Sequence, residues 1–423
     1  MARTRDASAE EAEAAGVSGA APRAPRISMF SALRLYDLFR LLWFGTVATQ
    51  LGQWMQNIAL GWYMLDLTNS PFWVSLIAFA SGIPFLVVSL PAGALIDRSD
   101  ERKVLMASQW AAMSTSSALA ALILAGWAEA WHLLVFAAIN GTIMALNQTV
   151  RQTIVPSLVA REHLSNAISL NSAGANAMRI LGPSIAGVVI GAFGVAACFI
   201  IQAVALGGAL VATGRIKRIT RERGMVAGRG VLDGFRELRR RPALGSLLWL
   251  TAVPALLVFP YIQMMPVFAR DVFDIGAGGL GILMVASGVG ALSGALTAAS
   301  MDRVRRKGLA VMVTTTLYCL AVGGFAASPS VILAMAGLFV AGFTGSIFGS
   351  LTNALMLLLV DPSVRGRVMG IYLLTGGLTP FGAIAIGALA SSVGTQHTVA
   401  ISCISAAIVV GLTALRMDEL RDA

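Results

Sequence analysis

The chain has 423 residues, of which 57% are hydrophobic and only 12% charged, with a mean hydropathy of +0.78. Soluble domains carry about 25% charged residues, so this composition excludes an ordinary water-soluble fold. The net charge of +10 invites a nucleic-acid reading, yet no basic, aromatic-bearing soluble segment exists to host one, and no nucleic-acid partner is expected.

In chain order, residues 1–28 are rich in Ala, Gly and Glu, have no continuous apolar core, and read as a disordered tail rather than a cleavable signal. The apolar residues then fall into twelve runs, near 41–65, 72–96, 104–126, 131–150, 166–192, 195–214, 244–269, 277–301, 308–327, 331–356, 366–391 and 397–415. Each is roughly the 20 residues that cross a ~30 Å hydrocarbon core as helix. Lipid offers the backbone no hydrogen-bond partner, so these runs must be helical. The expected fold is an all-α membrane protein of twelve transmembrane helices.

The long hydrophilic interruption after the start carries ten basic residues from Arg215 to Arg241. It separates a six-helix bundle at 29–214 from a second at 244–415, leaving 215–243 as a linker and 416–423 as a tail. Val231–Arg241 reads either as a short basic helix lying on an anionic leaflet or as a plain charged linker. The other Lys and Arg residues, Arg179 and Arg270 excepted, lie in the first segment, the tail or every second loop. That asymmetry is the positive-inside pattern and puts both termini in the cytoplasm of a multi-pass cell-membrane protein.

Cys198, Cys319 and Cys403 each sit within an apolar run without CxxC spacing, and the three histidines stand singly at helix ends. Packing roles are expected for the cysteines, with no metal and no cofactor implied.

The halves echo one another. Gly93, Asp97, Arg98, Arg102 and Lys103 form a short cationic knot between the second and third runs. A weaker version, Asp302, Arg303, Arg305, Arg306 and Lys307, follows about 205 residues later. Pro156–Arg161 and Asp361–Arg367 repeat at a similar offset. A duplicated bundle places a substrate site between halves near the midplane, exposed alternately to each side.

Polar residues inside the runs are the site candidates. Gln50, Gln53 and Asn57 stripe the first run at spacings of 3 and 4, and Asn140, Asn147 and Arg151 stripe the fourth. Tyr261 and Gln263 stand among Pro254, Pro260 and Pro266, which should bend the seventh run. Gly342, Gly345, Gly349 and Asn353 align in the tenth, and Tyr372, Thr375 and Thr379 in the eleventh. Ser287, Gly290, Ala291, Gly294 and Ala298 read as a close-packing stripe of the eighth.

Arg179 lies deep in the fifth run, on one face with Ser172, Asn176 and Pro183. At a helix centre arginine costs ~2.5–3.5 kcal/mol on insertion scales, so it should face protein or water. It reads as a contact for an anionic or carbonyl-rich substrate, as a gating residue, or as an arginine bonded to carbonyls at the Pro183 kink. No acidic residue occupies the centre of any run. Asp66, at the outward end of the first, is the nearest proton-carrying candidate against a plain helix-end carboxylate.

Gly93–Lys103 resembles the signature loop between helices two and three of the major facilitator superfamily. Phe39-Arg40-Leu41-Leu42-Trp43, Leu67–Pro71, Arg151–Pro156 and Asn176–Pro183 resemble its enterobactin-exporter-like and macrolide-efflux-like branch, over about residues 30–415. The resemblance implies that Asp97 pairs with cations and helix ends at the cytoplasmic seam, with Arg98 and Arg102 helping to bridge it; the alternative is a helix-orienting charge cluster. It also implies that helices one, four, seven and ten line the cavity. Gly182, Pro183 and Gly187 resemble the fifth-helix pattern of exporters, with Met178 and Ala186 where that pattern has glycine. Ala137 stands where many proton-driven relatives carry a fourth-helix arginine, so coupling by that route is not implied.

The function expected is secondary-active export of an amphipathic small molecule, siderophore-like or drug, by a monomer coupled to protons through family resemblance. Import or facilitated passage of a metabolite is the alternative. No Walker A, Ser-centred elbow, HExxH or HxxxxD pattern supports an enzyme.

Overall fold

The computed structural model describes residues 31–97, 99–154, 158–215, 242–301, 306–360, 368, 371–372 and 374–414. The expected tails, most of the linker with its basic segment Val231–Arg241, and Arg98, Asp302 and Arg303 lie outside the described residues. Gly93 and Asp97 fall in the last turns of a helix.

Among the described residues every regular element is helical. The amino-terminal half comprises α1 (Asp37–Thr68), α2 (Pro71–Asp97), α3 (Glu101–Leu124), α4 (Ala130–Ile154), α5 (Leu164–Phe193) and α6 (Val195–Gly214). The carboxy-terminal half begins with α7 (Pro242–Leu257), which resumes as Tyr261–Val267 and ends in a π turn at Phe268–Val272. It continues with α8 (Gly276–Ser300), α9 (Lys307–Ala326), α10 (Val331–Leu359), α11 (Thr379–Val393) and α12 (Thr395–Ala414).

Among the described residues, ten helices are long and apolar enough to cross a membrane. α1 and α3 are not among them, although their 32 and 24 residues exceed the ~20 a crossing needs. Their composition explains this: α1 carries Gln50, Gln53, Gln56 and Asn57, and α3 carries Ser108, Gln109 and the hydroxyl run 114–117.

The prolines of α7 act as their chemistry requires. Pro254 and Pro260 cannot donate, and the helix breaks between them while Val258 and Phe259 N–H both donate to the Pro254 carbonyl, at 2.9 and 2.8 Å. The broken segment sends Tyr261, Met264 and Met265 into the core.

Both halves use one packing plan. α1 packs on α5 and α6, α2 on α4, and α3 on α4 and α6. Adding six to each helix number gives contacts that are also present: α7 on α11 and α12, α8 on α10, and α9 on α10 and α12. Between halves the main pairings are α5 with α8 and α2 with α11, which the same exchange interconverts. This is the pseudo-symmetry expected of a duplicated bundle.

Glycine carries the closest approaches. A methyl on Gly290 would fall 2.0 Å from the Phe339 carbonyl oxygen, and one on Gly342 would fall 2.0 Å from that of Ser287, so α8 and α10 touch backbone to backbone. The seam between halves is built likewise. A methyl on Gly187 would lie 2.4 Å from the Gly281 nitrogen and 2.7 Å from the Ala277 carbonyl. Gly82 meets Pro380, and Gly387 meets Ser75. Phe79 and Phe381 add an edge-on ring contact at 5.8 Å.

One end of the bundle carries the α2–α3 loop with Arg102 and Lys103 and is called the basic end. The seam contacts run from the opposite end, where Gly191 faces Gly278, to about the middle, where Ile180 meets Gly288 and Leu86 meets Gly377. Among the described residues, the ring contacts and glycine approaches that join the halves lie between the opposite end and about the middle. A separate core near the basic end, including Phe39, Leu42, Leu105, Val150 and Leu170, belongs to the amino-terminal half alone.

Gly187→Ala should force α5 and α8 apart at an overpacking cost of about 1–3 kcal/mol. Gly208→Ala, with nothing within 4 Å of its new methyl, should hold or raise stability. Thermal unfolding of the two purified variants in detergent checks this; equal melting temperatures would contradict the tight seam.

Candidate functional site

A cavity of about 500 Å³ lies within the amino-terminal half, between α1, α4, α5 and α6. α1 lines it with Thr46, Thr49, Gln50 and Gln53, whose spacing puts them on one helical face. Asn140, Asn147 and Gln148 come from α4, Asn171 and Ser172 from α5, and Gln202 from α6. Apolar wall is supplied by Ile143, Met144, Ile168 and Leu206, with Ala112 of α3. The lining therefore mixes amides and hydroxyls with aliphatic surface and, among the described residues, contains no ionisable side chain. By position along α1, α4 and α5 it extends from mid-depth toward the basic end.

Local bonds hold the lining in place. The Thr46 hydroxyl donates to the Leu42 carbonyl at 2.8 Å and Thr49 to that of Gly45 at 2.9 Å. The Asn147 amide donates to Ser108 Oγ at 3.0 Å, tying α4 to α3. Gln53 donates to Asn57 Oδ1 at 3.3 Å. Gln202 is 2% exposed; its Oε1 has no partner and sits in the notch left by Gly52, where a methyl would be 2.0 Å away.

Four of the expected cavity residues, Gln50, Gln53, Asn140 and Asn147, thus converge. Asn57 is exposed beyond Gln53 and does not line the pocket. The carboxy-terminal candidates do not reach it either. Tyr261 is buried in the α7 core and engages Ser287. Gln263 is half-buried and Asn353 exposed. Thr375 donates to the Tyr372 carbonyl at 2.6 Å and stands 3.5 Å from the Thr251 hydroxyl. The sequence reading missed Thr46, Thr49, Gln148, Asn171 and Gln202. The first two extend the α1 stripe by a turn, whereas a single glutamine in an apolar helix gives no periodic signal.

Arg179 is exposed, on the face of α5 that carries Ser172 and Ala175. It has no hydrogen bond or ion pair among the described residues, so it does not cap carbonyls at the Pro183 kink. Its guanidinium lies within electrostatic reach of Tyr261 and Tyr318 across the seam. Asn176 is exposed nearby. Gly182 and Pro183 are buried: Gly182 admits Trp54, a methyl there falling 2.5 Å from Trp54 Cβ, while Gly187 forms the seam described above.

At the basic end, Asp100 caps α3 by accepting from the Arg102 N–H at 3.1 Å. The Arg102 guanidinium donates to the Gly214 carbonyl at 2.6 Å. Arg102 thus holds α3 to the end of α6 inside one half; in this conformation its described bond does not cross the seam as the resemblance suggested. Lys103 is exposed.

At the opposite end a charge pair does cross. Arg270 Nη1 lies 3.4 Å from Asp66 Oδ1 and donates to the Leu65 carbonyl at 2.9 Å, while its Nε donates to Asp271 at 2.6 Å. Below it, a methyl on Gly61 would meet Pro266 at 3.4 Å. Asp66 is therefore part of a latch between α1 and the end of α7.

Two symmetric helical bundles, shut together at one end and holding a polar pocket at membrane depth, define a membrane carrier. The chain belongs to the major facilitator family described as transmembrane secretion effectors, which it matches over residues 27–422. It is accordingly a multi-pass membrane transporter and not an enzyme. It is 25% identical over 397 residues to the multidrug efflux pump Tap of Mycolicibacterium fortuitum, covering 90% of this chain and 96% of the relative. To the enterobactin exporter EntS of Salmonella typhi it is 23% identical over 411 residues, covering 92% and 95%. Its fold is similar to that of a bacterial homologue of the iron transporter ferroportin in an inward-facing state, with TM-score 0.70, 14% identity, and 90% and 98% coverage.

Arg270→Gln should favour separation of the halves at the latch end. A partly exposed pair contributes ~0.2–1 kcal/mol, so the open population should rise by up to about fivefold. Pulsed EPR distances between labels in the α1–α2 and α7–α8 connections report this. The native cysteines are buried and should leave introduced sites as the labelled ones; a distribution unchanged from wild type would contradict the latch.

Proposed function

We propose that the protein exports an amphipathic small molecule, siderophore-like or drug, across the bacterial inner membrane by alternating access. The basic end and both termini face the cytoplasm, following the positive-inside rule. The observation that carries this reading is the pairing of a polar, partly aliphatic cavity with a seam whose glycine approaches, among the described residues, run from the opposite end to mid-depth. Such a site takes its ligand from the cytoplasmic side and releases it once the latch end parts. Aliphatic walls supply apolar contact while a few amides set orientation, as small-molecule sites generally do. The activities of the relatives, multidrug efflux and enterobactin export, support the outward direction and a small-molecule cargo.

The drive is a proton gradient. The cavity lining offers no carboxylate among the described residues, which leaves Asp66 as the proton-binding group of the scheme. Protonating it removes the charge that holds Arg270 and frees the outer end; deprotonation restores the latch. Asp97, Gly93 and the basic loop time closure at the cytoplasmic end, and one monomer suffices because each half supplies its own side of the seam.

Inside-out vesicles acidified within should concentrate siderophore-like or drug-like compounds, and a protonophore should abolish that accumulation. Asp66→Asn should lose accumulation while retaining downhill exchange. Concentrative transport without a proton gradient would rule out proton coupling, and absence of transport for every compound that protects cells carrying the gene would rule out export.

A further inference from the structure

We propose that the ligand of this carrier has an uncharged, hydrogen-bonding body seated in the amide-lined cavity, where Gln202 accepts from it, and one anionic group that reaches Arg179, ~10 Å along α5 from Ser172. The inference rests on the transport reading and specifies the chemistry of the same site.

The cavity decides the first part. Its described lining carries amides and hydroxyls but no ionisable group, and a charge seated there would give up water without a counter-charge. The seated portion is therefore neutral. Gln202 adds a preference. Its carbonyl oxygen is buried and unpaired over Gly52, so it has no bond to lose on turning toward a ligand. Donation from a ligand N–H or O–H converts an unmet acceptor into a met one.

Arg179 decides the second part. Ser172 and Ala175 line the cavity, and Arg179 follows them on the same face of α5, seven and four residues further on. Seven residues of helix rise ~10 Å. The guanidinium is exposed and unpaired among the described residues, and the groups within its electrostatic reach across the seam include the Tyr261 and Tyr318 phenols. No Asp or Glu lies at the centre of any span, so the protein brings no counter-ion to this depth. A carboxylate or phosphate on the ligand does, with the paired geometry that guanidinium favours.

The test uses the full chain in nanodiscs and three probes on one scaffold: N-acetyl-triserine as the free acid, as its C-terminal amide, and as its C-terminal aminoethylamide. An extended tripeptide spans ~10 Å. Titration followed by tryptophan emission should rank the acid above the amide and the amide above the cation, the acid leading by tenfold or more. Arg179→Ala should bring the acid down to the level of the amide, and Arg179→Lys should restore part of the lead. Gln202→Leu should weaken acid and amide by the same factor. Equal binding of cation and acid, an unchanged acid affinity in correctly folded Arg179→Ala, or no saturable binding of the acid would each overturn the inference. Counterflow of the acid probe in proteoliposomes separates the two claims. An acid that binds but is not carried contradicts the transport reading alone, whereas carriage blind to charge contradicts this inference alone.

Discussion

The seam between the halves depends on backbone meeting backbone. Lipid tails are as apolar as leucine, so helices in a bilayer gain little from hiding apolar surface from one another; close packing holds them together. Gly187 against Gly281, Gly82 against Pro380 and Gly387 against Ser75 bring α5 to α8 and α2 to α11 nearer than any side chain would allow. A joint of this kind is firm when closed because its many contacts add. It also parts without dragging long side chains out of pockets. The Asp66–Arg270 pair is the described charge contact across it.

The hydrocarbon solvent also explains where polarity is found. An amide facing lipid loses its hydrogen bonds, so polar residues in a spanning helix turn toward protein or water. Four helices of one half turn theirs to the same space, and the result is a cavity that mixes hydrogen-bonding groups with aliphatic wall. The cost is visible in α1 and α3, whose polar stripes lower their apolar character below that of the other ten long helices. The same constraint leaves Arg179 toward the seam, within electrostatic reach of the Tyr261 and Tyr318 phenols.

Much of this was legible in the sequence, for identifiable reasons. Apolar runs of span length fix helices almost without regard to neighbours, and the observed ends of α1 and α5 extend the expected ones by only a few residues. The offset of the two basic loops anticipated the shared packing plan. Stripes with a helical period, such as Gln50 and Gln53, mark one face of α1 because periodicity encodes a face, and those two side chains line the pocket. Gln202 escaped because one amide in α6 has no period, and its role depends on a notch that Gly52 supplies from another helix. Tyr261 looked like a cavity residue from its place among prolines; the break at Val258–Pro260 instead turns it into the core. Arg270 was set aside as an exception to the charge pattern, although it reaches Asp66 from 204 residues away.

The central claim is that the joint which is closed here must open for cargo to leave. Gly191 and Gly278 face each other at its outer end, a methyl on Gly191 lying 3.9 Å from the Gly278 Cα, close enough for a bridge between cysteines placed at both positions. Transport by the Gly191→Cys, Gly278→Cys double variant, measured oxidised and then reduced, is the direct test. The account predicts that the bridged carrier stops and that reductant restores it. Full transport with the bridge quantitatively formed would contradict it.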